Sequence, residues 1–216
     1  ARVKDPELRR KLTPSDQPMC KRMIVSDTFY PAVQRPNVDV VVEGIDHVEP
    51  EGIVTRDGKL HKLDLLVLAT GFYPNAWGVR QVVGEGGRTL EEVWNAGTRS
   101  YRSITIPGFP NYFMLIGPNS PITNLSLIDI ADIGVDYVMQ CLARFSQGEF
   151  TTMAPKAEAT RAFTETLKSS FGETIWVSGC NSWYLDAEGV PATWPWPPSH
   201  FRQVLKVPDL ADYDLG

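Results

Sequence analysis

Two short stretches of the sequence contain residue types that could take part in chemistry. In the first, Lys21 and Arg22 stand side by side in a polar segment. A guanidinium stays charged at any working pH and can stabilise an anion that forms during a reaction. Adjacent cations in a polar loop are also ordinary solvated surface, so this pair by itself leaves both interpretations open.

The second stretch is a turn, Gly117 to Pro121, directly before a segment that we predict to be helical from about 125 to 145. A helix N-terminus carries about half a positive charge and free backbone N–H groups, so it favours negatively charged ligand atoms. Asn119, Ser120 and Asn124 are the polar side chains placed to join such a contact.

The alternative for this stretch is a proline-containing turn followed by a capped helix. Asn124 is then the N-cap, or Ser126 and Asp129 form a capping pair. Asp129 and Asp132 are interpreted as capping and surface charges and not as an acid/base pair, because no partner group is visible in the sequence.

A third feature is the end of an apolar run. Leu63 to Ala69 is continuous and of strand length, which predicts a strand buried on both faces of a parallel sheet. The run stops at Thr70 and Gly71, and small residues at such an end allow a ligand or a crossing backbone to approach closely. A plain strand end with a glycine turn is equally consistent.

Further elements must position these residues. Short helices are predicted at 5–12 and about 157–169, and the helix at 125–145 is apolar nearly all round, which predicts packing on two sides. Further strands are predicted at Val38–Val42, Ile53–Thr55 and Tyr112–Ile116. Turns are predicted at Asp57–Gly58, as a hairpin, and at Gly84–Arg88, whose glycines lack the spacing of a phosphate-binding loop. Two strand–turn–helix units indicate an α/β sheet with a ligand at the strand ends.

Composition excludes several classes of function. The net charge of −5 over 216 residues argues against nucleic acid or an anionic membrane as the main partner. No apolar run is long enough to predict a membrane span. Three widely spaced cysteines without a CxxC, and three histidines without ligand spacing, predict no metal site and reduced thiols in a cytoplasmic protein.

Four segments in a fixed order resemble the C-terminal half of the class B flavoprotein monooxygenases, which comprise Baeyer–Villiger monooxygenases and the related flavin-containing monooxygenases. The segments are CKRMIVSDTFYPAVQRPNVDVV, DLLVLATGF, PGFPNYFMLIGPNSP and GCNSWYLDAEG. The resemblance implies an α/β, FAD/NAD(P)-binding, two-domain Rossmann-like fold of which this chain is the C-terminal portion. Residues 1–70 would be the last part of the NADP-binding domain, and 71–216 the last part of the FAD-binding domain with an aromatic-rich tail.

The resemblance also assigns roles to individual residues. Arg22 would be the catalytic cation that faces the flavin, and Lys21 would contact the 2′-phosphate of NADPH. Thr70 and Gly71 would lie where the chain crosses between domains beside FAD. Gly117, Pro118, Asn119, Ser120 and Asn124 would bind FAD at its pyrimidine edge, and Trp183 would belong to a loop on the NADP side.

The implied activity is that of an FAD- and NADPH-dependent monooxygenase that inserts one oxygen atom from O2 into a ketone or onto a soft nitrogen or sulfur atom of a small organic substrate. As a fragment, the chain is expected to be inactive alone. After Trp183 the sequence continues as Tyr-Leu-Asp-Ala-Glu-Gly, where Baeyer–Villiger members often have Gly-Ala-Asn-x-Pro-Gly, so a core aromatic remains an alternative for this residue.

Two other functional classes are considered. A disulfide reductase with two dinucleotide domains would need a redox dithiol, and the sequence has no CxxC. A non-catalytic α/β interaction module that has lost the cofactor is the second alternative, against which the Lys21–Arg22 pair and the intact Gly117–Pro121 turn argue.

Overall fold

The computed structural model describes residues 3–21, 23–71, 81–95, 97–121, 124–177, 179, 182–186 and 188–216. The chain divides into two compact units, Ala1–Phe72 and Tyr73–Gly216.

The first unit contains two short helices and a small sheet. Its elements are α1 (Pro6–Leu12), α2 (Phe29–Val33), β1 (Ile45–Glu49), β2 (Gly52–Thr55) and β3 (Leu60–Lys62). The predicted helix at 5–12 is confirmed, and it begins where Asp5 accepts a hydrogen bond from the backbone N–H of Glu7. The three strands form an antiparallel sheet in the order β1-β2-β3.

The predicted hairpin at Asp57–Gly58 is confirmed between β2 and β3. Gly58 has φ of +81°, a left-handed conformation that favours glycine. The Thr55 hydroxyl and the backbone N–H of Lys59 both donate to the Asp57 carboxylate, and these hydrogen bonds hold the turn. They also lower the pKa of Asp57, because hydrogen bonds to the carboxylate favour its charged form.

Three other predicted strands are wrong. Among the described residues, 38–42, 63–69 and 112–116 contain no strand, and the N–H groups of Leu63 and Met114 donate only single backbone hydrogen bonds, to Glu51 and Ile104. Leu65, Val67 and Leu68 are 77%, 74% and 76% exposed, although their apolar pattern predicts burial on both faces. The physical reason is that a strand exists only as part of a ladder of backbone hydrogen bonds, and these segments form no such ladder with the described residues.

The second unit contains longer helices and one small strand pair. Its elements are α3 (Leu90–Trp94), α4 (Leu127–Ser146), β4 (Met153–Pro155), α5 (Ala157–Ser170), α6 (Pro198–Val204) and β5 (Tyr213–Leu215). The helices predicted at about 125–145 and 157–169 are confirmed. β4 and β5 pair antiparallel, and Glu85–Gly87 is a single 3-10 turn, as the glycine cluster predicts.

Helix α4 is the centre of the main core of this unit. Its side chains Ile130, Ile133, Tyr137 and Cys141 are buried in one cluster with residues of the C-terminal segment: Trp194, Phe201, Leu205 and Tyr213. The opposite side of α4 is also apolar but exposed, with Ile128 at 81% and Met139 at 56%. The prediction of packing on two sides is therefore met on one side only within the described residues.

Buried hydroxyl groups join the core to the C-terminus. The Tyr101 hydroxyl donates to the Asp212 carboxylate, and Tyr137 and Tyr213 share a hydrogen bond of 2.8 Å. Burial raises the pKa of Tyr213 to about 12, so the phenol stays neutral. The hydroxyl groups of Tyr101, Tyr137 and Tyr213 thus all find hydrogen-bond partners, as buried hydroxyl groups require.

The expectation of reduced thiols is wrong for one cysteine. Cys141 is buried and free, and burial raises the pKa of its thiol to about 11. Cys20, which is 1% exposed, is disulfide-bonded.

Within the described ranges, no helix combines the length and apolar character needed to cross a bilayer. The same ranges contain no group of three or more His, Cys, Asp or Glu side chains arranged to hold a metal ion.

Ser103 is a strained position whose replacement tests the fold of the second unit. It is fully buried, has φ of +63°, and its hydroxyl has no hydrogen-bond partner among the residues that the structure describes. We expect Ser103→Gly to raise the free energy of unfolding by about 1 kcal/mol, because glycine adopts this conformation freely and removes the unpaired hydroxyl. Chemical denaturation measures the change.

Ser103→Ala is the matched control, since it removes the hydroxyl but keeps a Cβ in the left-handed conformation. The free energy of unfolding should rise less in the alanine variant than in the glycine variant. Equal stability of the two variants would show that backbone strain at residue 103 contributes nothing.

Candidate functional site

The predicted turn before α4 is built by a close approach of two backbone segments. Gly117 is buried, and a Cβ at this position would lie 2.1 Å from the carbonyl oxygen of Ser103. Only glycine therefore fits here. The Ser120 hydroxyl, which is fully buried, donates to the carbonyl of Gly117 at 2.7 Å and closes the turn. Asn119 adopts φ of +64°, a left-handed conformation that asparagine tolerates.

The same turn is hydrogen-bonded to a segment more than 70 residues later in the chain. The Asn119 amide donates to the carbonyl of Pro191 at 2.8 Å. The backbone N–H of Trp194 donates to the carbonyl of Pro121 at 2.9 Å. The tertiary structure thus connects two of the segments that the sequence singled out, the Gly117–Pro121 turn and the segment that contains Trp183.

Trp183 lies on the surface of this second segment. Its side chain is 44% exposed and its ring centroid is 4.8 Å from that of Tyr184. The adjacent chain turns back on itself, because the N–H of Ala192 donates to the carbonyl of Tyr184 at 2.7 Å. The alternative of a buried core aromatic at 183 is therefore wrong, and the indole is accessible to a ligand.

The N-terminus of α4 has open backbone donors. The cap is Ser126, whose hydroxyl accepts from the N–H of Ile128 at 3.1 Å, so the capping role falls to Ser126 and not to Asn124. The N–H groups of Leu127 and Asp129 have no acceptor among the described residues. Asn124 is exposed. The turn and the helix start together present free donors with a partial positive charge.

The site residues predicted in the first unit are exposed. Lys21 forms an ion pair of 2.7 Å with Asp16, and its side chain is 62% exposed. Thr70 and Gly71 end the extended segment at the surface. Gly71 has φ of +99°, and a Cβ there would meet nothing within 4 Å, so the space beside it is open. Arg22, the predicted catalytic cation, lies outside the described residues.

One group of charges escaped the sequence analysis. Glu188 accepts from Lys168 at 2.6 Å and from Arg99 at 2.7 Å, and Asp186 lies 3.8 Å from Arg99. These contacts lower the pKa of Glu188, first through the Lys168 hydrogen bond and then through the Arg99 charge. The network fixes the segment after Trp183 to α5. Its members are up to 89 residues apart, so no local spacing pattern could have revealed it.

Comparison with known proteins gives a consistent set of relatives. No protein-family model matches the chain. It is 45% identical over 215 residues to a protein of Mycobacterium tuberculosis named uncharacterized monooxygenase, covering 99% of this chain and 43% of that protein. It is 38% identical over 219 residues to a Baeyer–Villiger monooxygenase of Streptomyces coelicolor, covering 100% of this chain and 42% of that enzyme.

A solved structure agrees with these relatives. The crystal structure of OTEMO in complex with FAD and NADP superimposes with a TM-score of 0.83 at 26% identity, covering 100% of this chain and 42% of that one. The chain thus spans about two-fifths of the length of the curated relatives and of the solved enzyme that it matches.

Gly117→Ala tests the close approach at the turn. The added methyl group would collide with the Ser103 carbonyl oxygen, and overpacking of this kind typically costs about 1–3 kcal/mol. We expect a loss of stability in this range, measured by chemical denaturation. Gly172→Ala is the control, because its Cβ would lie at an ordinary 3.4 Å from the nearest atom, and it should be close to neutral.

Glu188→Gln tests the charge network through its pH dependence. Because the folded pKa of Glu188 is lowered from 4.5, the carboxylate stabilises the fold above that value, and this contribution is lost as the pH falls through the folded pKa. The melting temperature of Glu188→Gln should therefore lie below that of the parent at neutral pH and approach it in acid. For Glu173→Gln, at an exposed glutamate, the difference in melting temperature from the parent should not shrink in acid. If the difference between Glu188→Gln and the parent also stays constant with pH, the network is contradicted.

Proposed function

Because the chain belongs to the class B flavoprotein monooxygenases, with the fold of their C-terminal portion, we propose that it forms part of an FAD- and NADPH-dependent enzyme that transfers one oxygen atom from O2 to a small organic substrate. The substrate would be a ketone or a compound with a soft nitrogen or sulfur atom. On this proposal, residues 1–70 complete an NADP-binding domain and 71–216 complete an FAD-binding domain. The observation that carries it is the turn at Gly117–Pro121, joined both to the start of α4 and to the Trp183 segment.

The residues at this turn fit a flavin. The N–H groups of Leu127 and Asp129 have no acceptor among the described residues, and an electron-rich ring edge can take the place of water as their partner. Asn124 is exposed beside them. When bound, the flavin takes electrons from NADPH and activates O2. The partial positive charge of the α4 N-terminus favours negative charge on whatever acceptor lies before it.

The turn residues have distinct roles in this proposal. Gly117 and Ser120 hold the turn in shape, because the first allows the Ser103 contact and the second closes the backbone from inside. Asn119 orients the Trp183 segment through Pro191. Pro118 accepts a hydrogen bond of 3.3 Å from the Ser100 hydroxyl, which supports the turn from the opposite side.

In the first unit, we assign Lys21 to the 2′-phosphate of NADPH. Its ion pair with Asp16 is largely exposed, and such a pair contributes little, so a doubly charged phosphate can replace the carboxylate as its partner. Thr70 and Gly71 leave open space for a ligand at the end of the extended segment. Arg22 supplies a permanent positive charge that stabilises anionic species during oxygen transfer.

Arg22→Ala tests the assigned catalytic role, in an FAD-loaded enzyme that contains this chain. We expect oxygenation of the substrate to be lost while reduction of the flavin by NADPH continues, because the charge is needed only after O2 reacts. Stopped-flow absorbance follows flavin reduction, and product analysis follows oxygenation. Retained oxygenation at the parental rate would refute the assignment.

Arg202→Ala is the matched control. Arg202 is an exposed arginine in the last turn of α6, and its removal should change neither rate. The non-catalytic alternative makes the opposite prediction for the parent enzyme, which would then neither bind FAD nor be reduced by NADPH.

A further inference from the structure

A second concave site lies in the second unit, apart from the turn at Gly117–Pro121. It is a cleft of about 410 Å³, within the range of about 300–1,000 Å³ that is typical of small-molecule sites. One wall is apolar and includes Val93, Ile106 and Pro107. None of the residues assigned to the cofactors lines this cleft, which we call the basic cleft.

The basic cleft is rich in cations. Arg88, Arg99, Arg161 and Lys168 line it, against one lining carboxylate, Glu165. Arg99 and Lys168 both pair with Glu188, and Arg99 also lies 3.8 Å from Asp186, so these two cations already have carboxylate partners.

Arg88 and Arg161 have no carboxylate within 4.0 Å among the described residues. Glu165, which lies one helical turn after Arg161 on α5, is thus also too far from both guanidinium groups to form an ion pair. The cleft therefore holds two guanidinium groups that form no ion pair with a described carboxylate, although Arg88 interacts electrostatically with the more distant Glu92.

A buried hydroxyl in the cleft also lacks a partner. Thr160 lines the cleft and is 5% exposed, and its Oγ1 atom forms no hydrogen bond with any described residue. A buried hydroxyl without a partner is unfavourable, and an acceptor from a bound molecule would satisfy it. Ala157, the first residue of α5, lines the cleft too, and this helix has no side-chain cap at its N-terminus.

We propose that the basic cleft binds a small organic anion: a carboxylate or phosphate monoester that carries a short apolar chain. Arg88 and Arg161 hold the anionic group by charge-assisted hydrogen bonds, which planar guanidinium groups form well with both anions. Thr160 donates its unpaired hydroxyl to the same group. The apolar chain packs against the wall formed by Ile106 and its neighbours.

The site is separate from the proposed cofactor sites. Its lining residues come from α3 and the chain on either side of it, from α5 and from the segment around Ile106. The cofactor residues of this unit lie at the turn, the α4 N-terminus and Trp183, and none of them lines the cleft, although Arg99 and Lys168 of the cleft pair with Glu188 after Trp183. The proposal needs neither FAD nor NADPH and stands even if the proposed monooxygenase function fails.

Isothermal titration of the 216-residue chain at low ionic strength tests the proposal with three matched probes, hexanoate, hexyl phosphate and hexanol. We expect saturable binding of at least one of the two anions and none of the uncharged alcohol. Whichever anion binds identifies the ligand as a carboxylate or a phosphate ester. Binding of hexanol as tight as that of the anions, or of inorganic phosphate as tight as hexyl phosphate, would overturn the proposal.

Variants locate the bound anion. Arg161→Gln and Arg88→Gln should each weaken binding about tenfold, the usual effect of losing a charge-assisted hydrogen bond, and Thr160→Val should weaken it several-fold without loss of fold. Both arginines are exposed and without ion pairs, so these variants keep the structure. Arg202→Gln changes the net charge equally but lies outside the cleft, and it should bind like the parent.

Equal weakening in all three arginine variants would show non-specific attraction and overturn the site. Saturating NADP⁺ provides a last test. It should leave the affinity for the anion unchanged, and competition between the two would place the anion in a cofactor site instead of the basic cleft.

Discussion

The close approach of Gly117 to the Ser103 carbonyl is the contact on which the second unit depends. It brings the segment before α4 against the segment around Tyr101, and both then contribute to the same core. Because the spacing leaves no room for a Cβ, only glycine allows this contact. Helix α4 itself is attached to the core by its buried side chains Ile130, Ile133 and Tyr137.

A second layer of contacts builds on that position. Asn119 and Pro121 bind the backbone at Pro191 and Trp194, and Trp194 is itself buried in the core around α4. Glu188 adds a further attachment a few residues earlier, through its ion pairs with Arg99 and Lys168. The chain that follows the exposed indole of Trp183 is thus attached to the rest of the unit at Glu188, Pro191 and Trp194.

Large apolar surfaces remain uncovered in both units. The run from Leu65 to Leu68 and the outer side of α4 at Ile128 and Met139 are exposed. Exposed apolar areas of this kind mark surfaces that bind other protein segments. The chain spans about two-fifths of the length of these relatives.

The sequence by itself determined the helices α1, α4 and α5, the Asp57–Gly58 hairpin and the family, because these depend on local periodicity, turn residues and ordered motifs. It also singled out the turn at Gly117–Pro121. Only the tertiary structure decided that Ser126 caps α4, that Ser120 faces inward, and that the basic cleft and the Glu188 network exist. The reason is physical: a cap depends on which hydroxyl reaches a free N–H, and an ion pair or a cleft depends on residues far apart in the chain meeting in space. The predicted strands failed for the same reason, because β structure depends on a partner strand that no local pattern supplies.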